Sequence, residues 1–263
     1  MKKKLFKVLA TALVAGMALT GCGGGDKDVE MTYAVEAGSA GETVAMEMEL
    51  KYNSVGSQSD ALMEVASGTS DAAIIDLLMA GAMIGEGTSY PDLTLGDMLT
   101  EEKYGAGCRV GSDLTSFINQ TMYEAQQDGT LLAVAEKYGV DASLVEQPES
   151  VFAASETDSD VAYIQGKGKL LVGITEFAPM DYKDENGNWI GFDADMARVV
   201  ADKLGVEVEF VVIDWDNKIM ELDSKNIDVV WNGMTLTQGV LEAMNCTNAY
   251  CNNAQVIILP AAK

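Results

Sequence analysis

Short, almost continuous apolar runs alternate with amphipathic helical patterns along most of this chain of 263 residues. The clearest runs are DAAII at 71–75 and KLLVGI at 169–174. Such runs are typical of strands buried on both faces of a parallel sheet, and parallel strands need long, usually helical, crossover connections. The alternation therefore predicts an α/β fold with mainly parallel sheets. Tyr90-Pro91 and the mixed stretch after it are expected to form a connection, and Tyr104–Val110 one strand.

Residues 146–160 (EQPESVFAASETDSD) interrupt this alternation. They are rich in Ser and carboxylates, contain Pro148, and include only Val151 and Phe152 as large apolar residues. That composition is typical of a flexible linker. The strand and helix pattern restarts after this linker, and the chain is expected to fold into two lobes.

The N-terminus has the features of an export signal. Lys2, Lys3, Lys4 and Lys7 precede an apolar run at 8–19, which is too short to span a bilayer. The run ends in Leu-Thr-Gly-Cys at 19–22, which resembles a bacterial lipobox. Residues 1–21 are predicted to be a lipoprotein signal peptide, Cys22 the lipidated residue, and residues 22–30 a flexible tether. The alternative is an ordinary signal peptide followed by an unrelated Cys.

Composition excludes several classes of function. The chain has no His, so Ser-His-Asp and Cys-His catalysis and His-ligated zinc or haem are excluded. It has 17 basic against 41 acidic residues, a formal charge of −24, which argues against nucleic-acid binding. No cofactor, no metal site and no obvious pair of catalytic carboxylates is predicted. Cys246 and Cys251 either form a disulfide across a turn or remain buried thiols.

Two sets of motifs carry a family resemblance. Residues 164–258, with GFDAD at 191–195 and NGMTLT at 232–237, resemble the first half of the extracellular solute-binding proteins of amino-acid ABC transporters. Residues 32–140, with VEAGS at 35–39 and SGTSDA at 67–72, resemble the second half of the same family. The resemblance implies the two-lobed type II periplasmic-binding fold, with the ligand cleft between the lobes.

The two halves stand in reversed order, which indicates a circular permutation. The implied domains are lobe 2 at 31–100, the C-terminal part of lobe 1 at 101–145, the linker at 146–160 joining the family's usual termini, and the N-terminal part of lobe 1 at 161–263. The new chain ends are expected where one inter-lobe crossing normally runs, so that this crossing is cut. The alternative is a tandem of two partial domains or a mis-assembled gene.

The resemblance also implies which residues bind the ligand. Asp76 ends a predicted strand and corresponds to the carboxylate that binds the ligand's α-ammonium; its alternative role is a helix N-cap. The other candidates surround the ligand carboxylate, ammonium or side chain. They are Ser39, Ala40, Gly41, Asn232, Gly233, Met234, Thr235 and Phe177, the last of which could equally be a core residue. Val240 occupies the position where the family usually has an Arg that pairs with the ligand carboxylate.

These observations predict an exported, lipid-anchored solute-binding protein on the extracellular or periplasmic face of the membrane. It would bind a small amine-bearing solute, an amino acid or derivative, by closure of the lobes and deliver it to an ABC permease, without catalysis. Its only contact with the membrane would be the lipid anchor. The alternatives are an enzyme on the same fold, dehydratase-like or peptidoglycan-cleaving, and a ligand-sensing module.

Overall fold

The computed structural model describes residues 31–262. The predicted signal peptide, Cys22 and tether lie outside the described residues. The strands are β1 Thr32–Glu36, β2 Lys51–Val55, β3 Ala72–Asp76, β4 Leu93–Met98, β5 Glu102–Tyr104, β6 Gly107–Cys108, β7 Lys169–Ile174, β8 Tyr182–Lys183, β9 Trp189–Ile190, β10 Glu207–Val212, β11 Val229–Val230, β12 Asn245–Cys246, β13 Cys251–Asn253 and β14 Gln255–Pro260.

The helices connect these strands. They are α1 Ala40–Glu47, α2 Gln58–Ser67, α3 Leu77–Met83, α4 Leu114–Asp128, α5 Thr130–Tyr138, α6 Asp160–Lys167, α7 Phe192–Leu204, α8 Lys218–Asp223 and α9 Gln238–Ala243, with 3-10 turns at Asp141–Ser143 and Trp215–Asn217. Within residues 31–262, none of these helices is long and apolar enough to cross a membrane.

Two five-stranded sheets define the two lobes. The sheet of lobe 2 has the order β2-β1-β3-β14-β4, and the sheet of lobe 1 has the order β10-β7-β11-β6-β12. In each sheet four strands point the same way and one strand, β14 or β6, runs antiparallel to its neighbours. The fold is therefore α/β with mainly parallel sheets in two lobes, as the strand and helix patterns predicted.

The chain crosses between the lobes twice. It leaves lobe 2 after β4 and enters lobe 1 at β6, and it returns from lobe 1 after β13 to form β14 in lobe 2. The two crossing segments pair with each other, because β5 and β13 form a small antiparallel sheet in which Cys251 faces Tyr104. This paired ribbon is the covalent connection between the lobes, and we call it the hinge ribbon.

The position of β14 corrects the expected domain boundaries. Residues 161–263 were assigned to lobe 1, but Gln255–Pro260 pairs with β3 and β4 in the sheet of lobe 2. The sequence of β14, QVIILP, is apolar enough to be buried in either sheet, so its composition does not reveal its lobe. Lobe 2 in the structure comprises 31–98 and 255–260, and lobe 1 comprises 104–250.

The ends of the described chain lie close together in lobe 2. Tyr33 of β1 faces Ala72 of β3, and Ile258 of β14 faces Ala73 on the other side of the same strand. Two strand spacings, roughly 10 Å, therefore separate the start of β1 from the end of β14. The expectation that one inter-lobe crossing is cut is wrong, because both crossings are intact and the ends meet within one sheet.

Two local expectations are also corrected. The stretch after Tyr90-Pro91 contains a strand, β4, which pairs with β14. The expected single strand Tyr104–Val110 is divided between the hinge ribbon and the sheet of lobe 1. It breaks at Gly105, whose amide donates to the Met234 carbonyl at 3.0 Å and where a Cβ would lie 2.7 Å from Leu236. A larger residue at this position would have to displace the Leu236 side chain.

The expected flexible linker is partly docked on lobe 1. Gln147 is buried and exchanges hydrogen bonds with Gln126, at 2.7 and 3.2 Å. The amide of Phe152 donates to Gln120 at 2.6 Å, and its ring meets Phe117 edge-on at 5.3 Å between centroids. Polar composition alone does not reveal such side-chain to backbone anchors, and only the exposed residues 156–158 resemble a linker.

Candidate ligand-binding cleft

A cleft lies between the lobes, at the carboxyl ends of the central strands of both sheets. It contains about 460 Å³ of empty space, part of it open to solvent. This is the edge at which α/β sheets bind ligands, because loops and helix N-termini meet there. Its lining is Glu36, Gly38, Ser39, Ala40, Thr43, Gln58, Asp76, Phe177, Trp215, Lys218, Asn232, Gly233, Met234, Thr235, Thr237 and Val240.

Helix α1 presents its N-terminus to the cleft from lobe 2. Ser39 has an extended backbone and caps the helix, since its hydroxyl accepts from the amide of Glu42 at 3.1 Å. The amides of Ala40 and Gly41 belong to the first turn and have no acceptor within the helix. Gly41 itself, however, is absent from the cleft lining: a Cβ there would lie 2.9 Å from the Ile74 carbonyl, because α1 packs closely on β3.

Asp76 ends β3, faces the cleft and occupies the N-cap position of α3. Its side chain makes no capping hydrogen bond, so its oxygens do not serve that helix. Its Oδ1 accepts from the Tyr104 hydroxyl at 2.8 Å, from Gln255 at 3.0 Å and from Asn253, while Oδ2 accepts from Gln58. Burial, followed by the charge of Glu102, raises the pKa of Asp76 to about 7.

Glu36 is a second carboxylate in the cleft, and the sequence analysis did not identify it. It ends β1, the strand beside β3, and only 4% of its surface is exposed. Its Oε1 has no hydrogen-bond partner among residues 31–262. Burial, followed by the charge of Asp76, raises its pKa to about 8. The cleft thus holds two carboxylates, and Glu36 and Asp76 become neighbours only when β1 pairs with β3.

The lobe 1 wall is formed by the segment after β11. The Asn232 side chain exchanges hydrogen bonds with Thr175, at 2.7 and 3.0 Å, and the amide of Gly233 donates to Asp193 at 2.6 Å. Gly233 has a φ of +57°, and a Cβ there would lie 2.3 Å from Phe177. These contacts make the wall rigid and bring Asn232, Gly233, Met234 and Thr235 to the cleft.

Phe177 and Thr235 have partners outside the cleft as well as places in it. Phe177 is buried and meets the ring of Tyr104 edge-on at 6.3 Å, so it has both of the positions that the sequence analysis left open, core and cleft wall. The Thr235 hydroxyl donates to Glu102 of the hinge ribbon at 2.9 Å. Thr235 thus connects the cleft to the hinge ribbon.

Lys218 is the basic residue of the cleft lining, and it bridges the lobes. Its Nζ donates to the Gly38 carbonyl of lobe 2 at 2.9 Å and to the Trp215 carbonyl of lobe 1 at 3.1 Å. Burial lowers the pKa of Lys218, and only 6% of its surface is exposed. Val240 lines the cleft where an Arg was expected. Arg109 pairs with Asp160, and Arg198 with Asp195, both outside the lining.

The remaining cysteines and acids do not form a metal site. Cys108, Cys246 and Cys251 are free thiols, so the disulfide alternative is not realised. Within residues 31–262 no group of three or more metal-binding side chains is present. The cleft thus combines two buried carboxylates, the N-terminus of α1 and one ammonium.

Two α/β lobes joined by a paired ribbon, with a polar cleft at the carboxyl ends of their strands, define the class of type II periplasmic-binding folds. Residues 170–263 match the family model of bacterial extracellular solute-binding proteins, family 3. This segment of the chain is similar to members of that family.

Curated relatives agree with the family over the same part of the chain. The arginine-binding extracellular protein ArtP of Bacillus subtilis (strain 168) is 34% identical over 94 residues, 35% of this chain and 36% of the relative. A probable histidine-binding protein of Neisseria gonorrhoeae is 31% identical over 98 residues, 37% of each. A cyclohexadienyl dehydratase of Pseudomonas aeruginosa is 30% identical over 80 residues, 30% of each. The chain thus spans about a third of the length of the curated relatives it matches.

Proposed function

We propose that this chain is an exported, lipid-anchored solute-binding protein that captures an amino acid or a related amine-bearing solute and delivers it to an ABC permease. The observation that carries the proposal is the cleft, where acids, helix amides and an ammonium face one another across two lobes. An α-amino acid carries both an ammonium and a carboxylate, so it is complementary to this set of groups. The names of the arginine- and histidine-binding relatives agree with that ligand class.

Asp76 is proposed to bind the ligand ammonium through Oδ2. Each carboxylate oxygen has room for about two donors. Oδ1 already accepts from three groups, whereas Oδ2 accepts only from Gln58. One acceptor position therefore remains on the oxygen beside Gln58, which itself lines the cleft.

The ligand carboxylate is proposed to bind between the N-terminus of α1 and Lys218. The amide of Ala40 supplies a donor there, and the dipole of α1 favours an anion. Two of the three ammonium protons of Lys218 are used by the carbonyls of Gly38 and Trp215, which leaves one for a ligand. Lys218 would thereby supply the positive charge that the missing Arg at Val240 would have provided.

Closure of the lobes is proposed to accompany binding. In this structure lobe 2 touches lobe 1 directly, since a Cβ on Gly38 would lie 2.7 Å from the Cα of Asp216. The bond from Lys218 to the Gly38 carbonyl is a second direct contact between the lobes. A solute would enter and leave by rotation about the two paired crossings.

The test is binding of the twenty amino acids by calorimetry to residues 23–263 and to the variant Ala40→Pro. Pro is tolerated at the first helical position, and the extended backbone of Ser39 suits a residue before Pro. The substitution therefore removes one donor and keeps the helix. We expect affinity to fall about 10-fold or more, since a hydrogen bond to a charged group contributes about 1.5–3 kcal/mol.

The matched control is Gln238→Pro. Gln238 lies outside the cleft lining, and it is the first residue of α9, after the extended Thr237. Its affinity should equal that of the parent. Absence of binding to every amino acid and derivative would overturn the proposal, and equal affinity in Ala40→Pro would remove the carboxylate position from it.

An enzyme on this fold is the second candidate, because one relative is a dehydratase and the cleft holds two carboxyl groups with raised pKa values. A protonated carboxyl can act as a general acid. Recovery of the bound solute unchanged after prolonged incubation supports the binding protein. Conversion of the solute, lost in Glu36→Gln, would support the enzyme.

A further inference from the structure

The side chain of Glu36 has a buried oxygen in the cleft whose hydrogen-bonding capacity is not satisfied by the described residues. Its Oε1 is buried without a hydrogen-bond partner among residues 31–262. An unpaired buried polar group is destabilising, and a buried charge more so, unless a partner is supplied. The residue lies in the cleft lining, so the partner can come from a bound solute.

The protein itself offers Glu36 no cationic partner at contact distance. Lys218 is close enough to influence its pKa, but among the described residues no ion pair within 4.0 Å joins them. The Lys218 ammonium instead donates to two backbone carbonyls. No cationic side chain among the described residues therefore pairs with the Glu36 carboxylate.

Asp76 and Glu36 occupy neighbouring positions. Ala34 of β1 faces Ala73 of β3, so the two strands end side by side and both carboxylates face the cleft. If Asp76 binds the α-ammonium, and Lys218 and the α1 amides bind the α-carboxylate, Glu36 is left without a partner on the ligand. A solute whose net charge is positive completes the pairing.

We propose that Glu36 binds a second cationic group of the ligand and makes the cleft selective for amino acids with a positively charged side chain. This inference rests on the proposed function. The second cation is an ammonium or a guanidinium, since each can donate to the unpaired Oε1. Selectivity arises because a neutral side chain leaves the buried oxygen without a donor.

The test compares L-lysine with L-norleucine and L-arginine with L-citrulline, each pair of similar shape and different charge, by calorimetry. We expect the parent to prefer the charged member by roughly 100-fold at pH 8.5, where Glu36 is largely ionised, because a desolvated charge without its partner is strongly penalised. Glu36→Gln should remove most of this preference. Glu176→Gln, on an exposed residue outside the cleft lining, should keep it.

Equal affinities within each pair, or a preference that survives Glu36→Gln, would overturn the inference and leave the proposed function standing. Absence of binding to all four probes and to every other amino acid would overturn both. A second measurement needs no variant: calorimetry in two buffers of different ionisation enthalpy should show that lysine releases more protons than norleucine at pH 7. Equal release would also overturn the inference.

Discussion

At the residue scale, the molecule is unusual for its buried carboxyl groups. Besides Glu36 and Asp76 in the cleft, Asp181 and Asp193 are completely buried in lobe 1. Both oxygens of Asp181 lack partners among the described residues, whereas Asp193 accepts from Gly233 and from the Tyr250 hydroxyl. Burial, and then the charge of Asp193, raises the pKa of Asp181 well above its usual value.

Stability should therefore fall as the pH rises through neutrality. The folded-state pKa values of Asp193, Asp76 and Glu36 are raised to about 7, 7 and 8, above their unfolded values. Their contribution is fully present below about pH 4 and is lost as the pH rises through 7–8. Groups with lowered pKa values, such as Asp113, act only at lower pH, because their contribution is lost as the pH falls below about 4. Urea unfolding at pH 5.5 and 8.5 tests this sign.

Asp181→Asn should reduce this pH dependence. Replacing the unpaired acid by a neutral amide removes the need to ionise or to retain a proton, so we expect the free energy of unfolding at pH 8.5 to rise by about 1–3 kcal/mol. Asp202→Asn, an exposed change on α7, is the control and should alter neither value. A loss of stability in Asp181→Asn at both pH values would show that the carboxyl has a partner.

At the element scale, the hinge ribbon and the cleft share one hydrogen-bond network. Glu102 of β5 accepts from Thr235 at 2.9 Å and from Gln255 at 2.9 Å, and Gln255 also donates to Asp76. The hydroxyl of Tyr104, which also lies in the hinge ribbon, donates to Asp76 as well. Asp76 is therefore connected by hydrogen bonds to the hinge ribbon, about which the lobes would rotate.

Lys218 is expected to hold the two lobes together across the cleft. Lys218→Met keeps an apolar stem of similar length and removes both bonds to the carbonyls of Gly38 and Trp215. We expect the ligand-free variant to have a larger radius of gyration in small-angle scattering than the parent. Lys169→Met, which removes an exposed pair with Glu209, should leave the radius unchanged. An unchanged radius in Lys218→Met would contradict a bridging role.

At the scale of the whole molecule, the order of the segments is the open question. We propose that the chain is a circular permutant of the family order, because the segment like the family's first half follows the segment like its second half. The proximity of the start of β1 and the end of β14, roughly 10 Å, supports this proposal. The docked segment 146–152 would then be the added connection.

Restoring the family order should preserve folding and binding. A chain of residues 158–260, a Gly-Ser linker of about four residues and residues 31–157 cuts only the exposed stretch, and the linker reaches about 13 Å. We expect its thermal midpoint and its affinity for the best amino acid to match the parent within error. A matched rearrangement cut between Leu171 and Val172, inside buried β7, should not fold. Failure of the first rearrangement would favour a tandem of two partial domains.

The amino-acid sequence was enough to predict the α/β class, most strands and the region of the cleft. Apolar runs and helical periodicity are local properties, and β1, β3 and β7 follow from them. Ser39, Ala40, Asp76 and the segment 232–235, which the family resemblance implied as ligand-binding residues, line the cleft.

Tertiary structure alone decided which lobe takes β14, how the linker docks and which charges meet in the cleft. An apolar strand such as QVIILP satisfies either sheet, and its choice depends on partners that are distant in the chain. Glu36 and Lys218 are separated by 182 positions, and no local pattern of the sequence brings their two side chains to one cleft. Burial and long-range pairing give them their chemistry, because both are properties of the folded surroundings and not of the residue.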